Sequence, residues 1–355
     1  MADRFDPVSI YALSRFAFVE LAMAGVTAVG EFHYLHHQSD GTAYDNRTEL
    51  ADAVIRAATD AGLRIALLRV IYNRAGQDRA PEGAQRRFSD ADVELALSDV
   101  DYLRSQYAEN PMVGVGVAPH SIRAVPLPFI REAAAHADRH GLPFHMHVAE
   151  QRRELEECIA EHGSPPIRAL AESGVLGPRF VAVHATHLED DEVRALGKAS
   201  SFACICRTTE RDLGDGLCRS ADLVAAGARL CTGVDSHAIS DPFEEARAIE
   251  LDDRSRTEAR HVAGEANALL QAATTNGYQA IGLGSTGDQV TLDGDDPAFA
   301  GVDDLHLDDA VIFSASPRAV REVTVAGRRI VADGRHIDYE TARSEYERAL
   351  SRLLS

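Results

Sequence analysis

The chain has 355 residues, 45% of them hydrophobic and 26% charged, with a formal net charge of −20. That length accommodates one large core or two domains. So acidic a balance argues against nucleic acid and anionic membrane surfaces as partners, yet leaves room for a small anionic substrate gripped by local arginines.

The N-terminal stretch MADRFDPVSIYALSR lacks the basic start and long apolar centre of a secretion signal. No apolar run reaches the ~20 residues of a membrane span. Five cysteines, an odd number without framework spacing, point to a reducing compartment, so a cytoplasmic location is expected. A helix is predicted from Pro7 to about Ala24, with Asp6 as its N-cap. Strands follow at 25–32, 64–72, 112–119, 143–149, 180–186, 201–206 and 229–235. Helical stretches separate them at 49–61, 90–107, 127–140, 151–160, 165–173, 190–197 and 220–226. Most strand runs are almost continuously apolar, as in a parallel sheet covered on both faces. Repeated strand–helix units of this kind mean an α/β barrel or a doubly wound sheet. No G-x-G-x-x-G or P-loop follows the first strand, so a nucleotide fold has no positive support.

Beyond residue 290 the texture changes. VTLDG, DDAVIFS and REVTVAGRRIVADG read as short alternating strands, with a hairpin at Arg328-Arg329. A last helix, YETARSEYERALSRLL, closes the chain. The expected organisation is a barrel-like region over 1–285 and a β unit with its terminal helix over 286–355. A barrel needs eight strands; with seven in view, the opening helix looks like the return helix of a strand lying before residue 1.

Polar residues gather at the C-terminal ends of these strands, where barrel enzymes place their chemistry: His33, His120, His147, His184 and Asp235. Hydrolysis at an sp² carbon needs a metal that acidifies water, a base for its proton, and an acid for the leaving nitrogen. His147, in HMHVAEQ, can bind the metal. Asp235, in GVDSH, can bind metal and handle protons. His184, in HATH, can polarise or orient, and Glu150 can shuttle a proton to the departing amine. Taken singly, each has a plainer reading: His184 as a core histidine, Asp235 as a helix cap, Glu150 as a solvated helix start. Catalytic zinc keeps about three protein ligands and a water. Cys204-Ile205-Cys206 reads as buried filler, since no second pair stands at zinc-finger spacing.

The order His-x-x-Glu, HATH, G-x-D-S-H resembles the deaminase branch of the amidohydrolase superfamily. Longer stretches narrow the likeness. GVTAVGEFHYLHH, VGVAPHSIRAV, HMHVAEQRRELEEC, TTERDLGDG and GVDSHAISDPFEE are similar to the formimidoylglutamate deiminases of histidine degradation, over about residues 20 to 340. The resemblance implies an amidohydrolase-type TIM (β/α) barrel with a small β-sandwich portion, and hydrolysis of N-formimidoyl-L-glutamate at a single zinc. His147 and Asp235 would ligate the metal, Glu150, His184 and Asp235 would be catalytic, and Tyr34, His120 and Arg123 would hold the glutamate part. His33, His36 and His37 are expected to be structural or on the surface, and His145 to face away from the pocket. The family's first strand, with an H-x-H pair giving two further ligands, would lie before residue 1. Arg207 and Asp212 stand where a proline and an asparagine are expected, in a loop expected near the substrate. Two other readings stay open: an aminohydrolase of another amidine or ring, and an inactive barrel kept for binding. A homodimer is an open assembly.

Overall fold

The structure, a computed structural model, describes residues 2–284 and 287–355. The boundary expected at 285/286 falls on Ser285 and Thr286, which lie outside the described residues. In chain order the elements are α1 (Pro7–Met23), β1 (Ala28–His33), α2 (Glu49–Asp60), β2 (Arg64–Ile71), α3 (Val93–Gln106), β3 (Val113–Pro119), α4 (Leu127–His140) and β4 (Phe144–Val148). Then come α5 (Arg152–His162), α6 (Pro166–Glu172), β5 (Phe180–His184), α7 (Asp190–Lys198), β6 (Phe202–Ile205), α8 (Arg207–Leu213), α9 (Ser220–Ala226) and β7 (Arg229–Thr232). Last are α10 (Pro242–Thr257), α11 (Ala266–Ala273), α12 (Thr275–Ala280), β8 (Gln289–Leu292), α13 (Leu307–Phe313), β9 (Val320–Val325), β10 (Arg328–Ala332), β11 (Arg335–His336) and α14 (Tyr339–Leu354). The seven expected strands are β1 to β7, and their sheet order is the chain order. Each predicted helix between them is present. Asp6 caps α1, accepting the Ser9 N–H at 2.7 Å.

DDAVIFS is not a strand. It forms α13, with Asp308 and Asp309 in the first turn, where carboxylates suit the positive end of the helix dipole. A short apolar run fits either period, and the two acids decide it. Arg207 and Asp212 lie in no loop: both belong to α8.

The chain divides into two compact units, described one at a time. The first comprises residues 1–118, 285–292 and 320–355. Here β1 pairs in parallel with β2, Ala28 opposite Arg64 through His33 opposite Arg69. Every residue of β2 is buried, as a strand covered on both faces must be. Its two arginines are paired: Arg69 with Asp90 at 2.6 Å and Asp99 at 2.7 Å, and Arg64 with Asp288 at 2.7 Å. Antiparallel strands in the order β11-β10-β9-β8 form a second sheet. The β9–β10 hairpin turns at Ala326 and Gly327, both at positive φ, as a two-residue turn of matching twist requires. Gly62, at φ 81°, admits no side chain: a Cβ there would lie 2.5 Å from Ile330 Cγ2. α1 packs on α14, with Phe16 stacked on Tyr346 at 4.9 Å and Arg15 bonded to Glu345 at 2.8 Å.

The second unit comprises residues 119–284 and 293–319. Parallel pairings join β4 to β5, β5 to β6 and β6 to β7. All five residues of β4 and of β5 are buried. Among the described residues, no helix is long and apolar enough to cross a membrane.

Candidate active site

Three strand ends of the second unit carry the expected site residues. In β4, His147 is buried. Its Nδ1 donates to the His120 carbonyl at 3.1 Å and its backbone N–H to the same oxygen at 3.0 Å. That leaves Nε2 pointing the other way, the arrangement by which a backbone carbonyl orients a metal-ligating imidazole. Beyond β4 the chain turns through Ala149 at φ 53° to present Glu150. At the end of β5, His184 sits at φ 72°. In β7's extension, Asp235 sits at φ 51°. Non-glycine residues rarely hold such angles, and their recurrence past the ends of β4, β5 and β7 marks a strained site held by its surroundings.

The restraints are visible. The Ala185 N–H donates to the Val148 carbonyl and the His187 N–H to the Ala149 carbonyl, so the ends of β4 and β5 are tied together. Glu154, on α5, accepts the Ala149 and Glu150 N–H groups, both at 3.0 Å. Thr209, on α8, donates to the Val234 carbonyl at 3.1 Å and accepts the Ser236 N–H at 3.0 Å, bracketing Asp235. Gly233 lets this segment approach β6 closely. A Cβ there would lie 3.0 Å from Cys206 Sγ and 3.2 Å from Cys204 Sγ.

These restraints converge on His184. Its Nε2 lies 3.7 Å from Glu150 Oε1 and 3.6 Å from Asp235 Oδ2, and its Nδ1 lies 3.2 Å from Glu210 Oε1. The His147 and His184 rings stack at 5.6 Å. Burial works against a charge on His184. The Glu210 hydrogen bond, with the charges of Glu150, Glu210 and Asp235, outweighs it and raises the pKa to about 9. His184 is therefore a cation at neutral pH. Burial raises the carboxyls of Glu150 and Asp235 above their usual range, against the pull of that cation. Burial, then the neighbouring His120 and His184, drives His147 well below the usual histidine range. It is a neutral imidazole, the form that ligates metals.

His147, Glu150, His184 and Asp235 thus gather in one unit, together with His120 and Arg123. The His120 ring lies 5.1 Å from that of His147, and the Arg123 charge acts on His120, Glu150 and Glu154. Tyr34 belongs to the first unit, edge-on to Phe88 at 6.0 Å. His33, His36 and His37 are buried there. His36 bonds the Val70 carbonyl and His37 that of Ser89. His145 bonds the Ala280 carbonyl at 2.8 Å. The five cysteines are free thiols. Sequence reasoning passed over Glu154 and Glu210. The first stands four residues after Glu150 and the second within TTERDLGDG, so both were in view, but only the turn geometry gives them a task. His184, Cys206 and Glu210 also place one ligand atom each within 4.8 Å of one another. The Arg207 guanidinium pairs with Glu210 there, so the group reads as a hydrogen-bonded network rather than a cation site.

Residues 4–330 match the Amidohydrolase family. The formimidoylglutamate deiminase of Pseudomonas aeruginosa is 36% identical over 370 residues, covering 100% of this chain and 81% of that protein. The 8-oxoguanine deaminase of the same organism is 28% identical over 343 residues, covering 93% and 74%. Among solved structures, an amidohydrolase from Brucella melitensis aligns with a TM-score of 0.93 at 34% identity, covering 100% of this chain and 81% of that one. An adenosine deaminase from Xanthomonas campestris with bound zinc aligns at 0.82 with 21% identity, covering 99% and 77%, a likeness of fold alone.

Proposed function

This chain belongs to the amidohydrolase family, as a hydrolase of carbon–nitrogen bonds, and from that premise we propose that it converts N-formimidoyl-L-glutamate and water to N-formyl-L-glutamate and ammonia. The observation that carries this reading is the meeting of the Glu150 and Asp235 carboxylates at the Nε2 of a cationic His184, beside a neutral, carbonyl-oriented His147. The 36% identity to a formimidoylglutamate deiminase supports the choice of substrate.

A nitrogen from His147 and a carboxylate oxygen from Asp235 are donors that suit zinc. When bound there, zinc would supply the acidification of water and the polarisation of the substrate's C=N group. The remaining steps belong to the chain. Water adds to the formimidoyl carbon while Asp235 takes one of its protons and Glu150, entering protonated, gives one to the terminal nitrogen. The proton on Asp235 then passes to that nitrogen as the adduct's hydroxyl returns its own to Glu150, and the carbon–nitrogen bond breaks to release ammonia and leave the formyl group. His184, fixed as a cation, orients both carboxylates and steadies the oxygen that becomes the carbonyl. Arg123 grips a substrate carboxylate with its planar fork, with His120 beside it holding the rest of the glutamate part.

The likeness to an 8-oxoguanine deaminase favours a second reading, hydrolytic deamination of a purine-like ring. Steady-state assays of ammonia release from N-formimidoyl-L-glutamate and from 8-oxoguanine, with zinc supplied, separate the two. Turnover of the acyclic substrate with formation of N-formylglutamate is expected. Turnover of the ring alone would overturn the proposal.

A further inference from the structure

We propose that Glu210 is a positioning residue for His184, and that Arg207 locks Glu210 in that task. The inference rests on the reading above only in taking His184 to face the reaction. Glu210 is fully buried on α8, and both its oxygens are engaged. Oε1 accepts the Cys206 N–H at 2.9 Å and faces His184 Nδ1 at 3.2 Å. Oε2 accepts from Arg207 Nη1.

Arg207 is itself anchored. Its Nη1 donates to the Gly216 carbonyl at 3.0 Å and its Nε to Asp252 Oδ2 at 2.6 Å, and only 2% of the residue is exposed. A carboxylate held from three sides cannot rotate. An imidazole held at Nδ1 by such a group must keep Nε2 toward Glu150 and Asp235, because the two ring nitrogens lie on opposite sides. The backbone of His184, at φ 72°, fixes the ring from its other end. Glu210 touches neither carboxylate of the site. It acts through the orientation of one ring, as carboxylates behind functional imidazoles do. Arg207 supplies the counter-charge that lets Glu210 stay ionised in the interior.

The test compares the parent chain with Glu210→Gln and with the double variant Arg207→Met/Glu210→Met, which removes both buried charges at similar volume. Two readouts are taken. The first is imidazole NMR of ¹⁵N-histidine-labelled, metal-free protein, with His184 identified by the signals lost in His184→Asn. The parent should show a hydrogen-bonded proton on Nδ1 of His184, and the double variant should lack it. The second is steady-state hydrolysis of N-formimidoyl-L-glutamate by the zinc-supplied proteins. Glu210→Gln, which keeps an acceptor, should lose less kcat than the double variant, whose loss should be about 10–100-fold with KM within about twofold. A double variant as thermally stable as the parent, with parental kcat or an unchanged Nδ1 proton, would overturn the role of Glu210. If the parent itself leaves N-formimidoyl-L-glutamate untouched, the proposed substrate falls, and the NMR comparison still decides for or against Glu210.

Discussion

Replacing Glu154 with alanine removes the carboxylate from which the turn into the site hangs. Its two oxygens take the N–H groups of Ala149 and Glu150, each at 3.0 Å, the first bond buried and the second partly so. Without it, two interior N–H groups lose their acceptors at a cost of ~1–3 kcal/mol each. The sum, about 2–6 kcal/mol, is reduced if the turn relaxes, because Ala149 at φ 53° holds strain of ~1–3 kcal/mol. With an unfolding entropy of ~2.1 cal/mol/K per residue, the 355-residue chain should lose roughly 3–8 °C of Tm. Any relaxation also carries Glu150 away, and a misplacement of ~1 Å costs ~10²-fold in rate. Glu154→Gln keeps one acceptor oxygen and should fall between the parent and the alanine variant on both scales. Thermal unfolding by circular dichroism and ammonia release under saturating substrate are the two measurements. Parental ammonia release from Glu154→Ala, with a Tm within about 1 °C of the parent, would refute the clamp.

Glu150→Gln, supplied with zinc, should take up as much metal as the equally supplied parent by elemental analysis while ammonia release falls ~10²–10⁴-fold, the usual worth of an acid–base group; a lower metal content would place Glu150 among the ligands. Arg123→Met should raise KM for N-formimidoyl-L-glutamate with little change in kcat, since it holds a part of the substrate that does not react; an unchanged KM refutes that role. Burial, and then the Arg69 charge, lower His33 from 6.5 to about 3. Its folded pKa lies below the unfolded one, so the stability it contributes is complete above pH 6.5 and is lost as the pH falls toward 3. The loss is at most about 1.4 kcal/mol per pH unit. Urea unfolding at pH 7 and pH 5 should therefore differ less in His33→Asn than in the parent, and equal differences would refute this. Gly62→Ala must move Ile330 or the turn, because its Cβ would meet Cγ2 at 2.5 Å and its φ is 81°; a Tm at or above the parent's contradicts the packing described.

The parallel strands were legible because a strand covered on both faces must be apolar almost throughout. β2 shows the rule, with apolar residues between arginines that find partners only in three dimensions. α13 was misread because five apolar and small residues in a row satisfy either period; the acids at 308 and 309 held the answer. Of the site, His147, Glu150, His184 and Asp235 could be picked out because strand ends are marked in the sequence. Glu154 and Glu210 could not, since each acts on a group presented by another turn of chain. Nothing local distinguishes such a carboxylate from a solvated one. Arg207 was noticed as a departure, but its buried contacts with Glu210 and Asp252 depend on how α8 and α10 lie.

The packing of α1 against α14 governs when the chain can finish folding as it is made. Arg15 and Glu345 stand 330 residues apart, and a ribosome adds ~5–20 residues per second, so the face of α1 that α14 covers waits roughly 15–65 s, while α2, which meets α1 through Tyr11 and Asp60, follows at once. Closing so long a loop costs about 5 kcal/mol in chain entropy plus a constant, and that term grows only logarithmically with length. The delay is therefore set by synthesis more than by thermodynamics. Meanwhile the uninterrupted segment 119–284 of the second unit leaves the ribosome before residues 320–355 exist. Phe16, which packs on Tyr339 and Tyr346, stays without those partners for that interval, so the nascent chain offers a holding chaperone a long-lived target on α1.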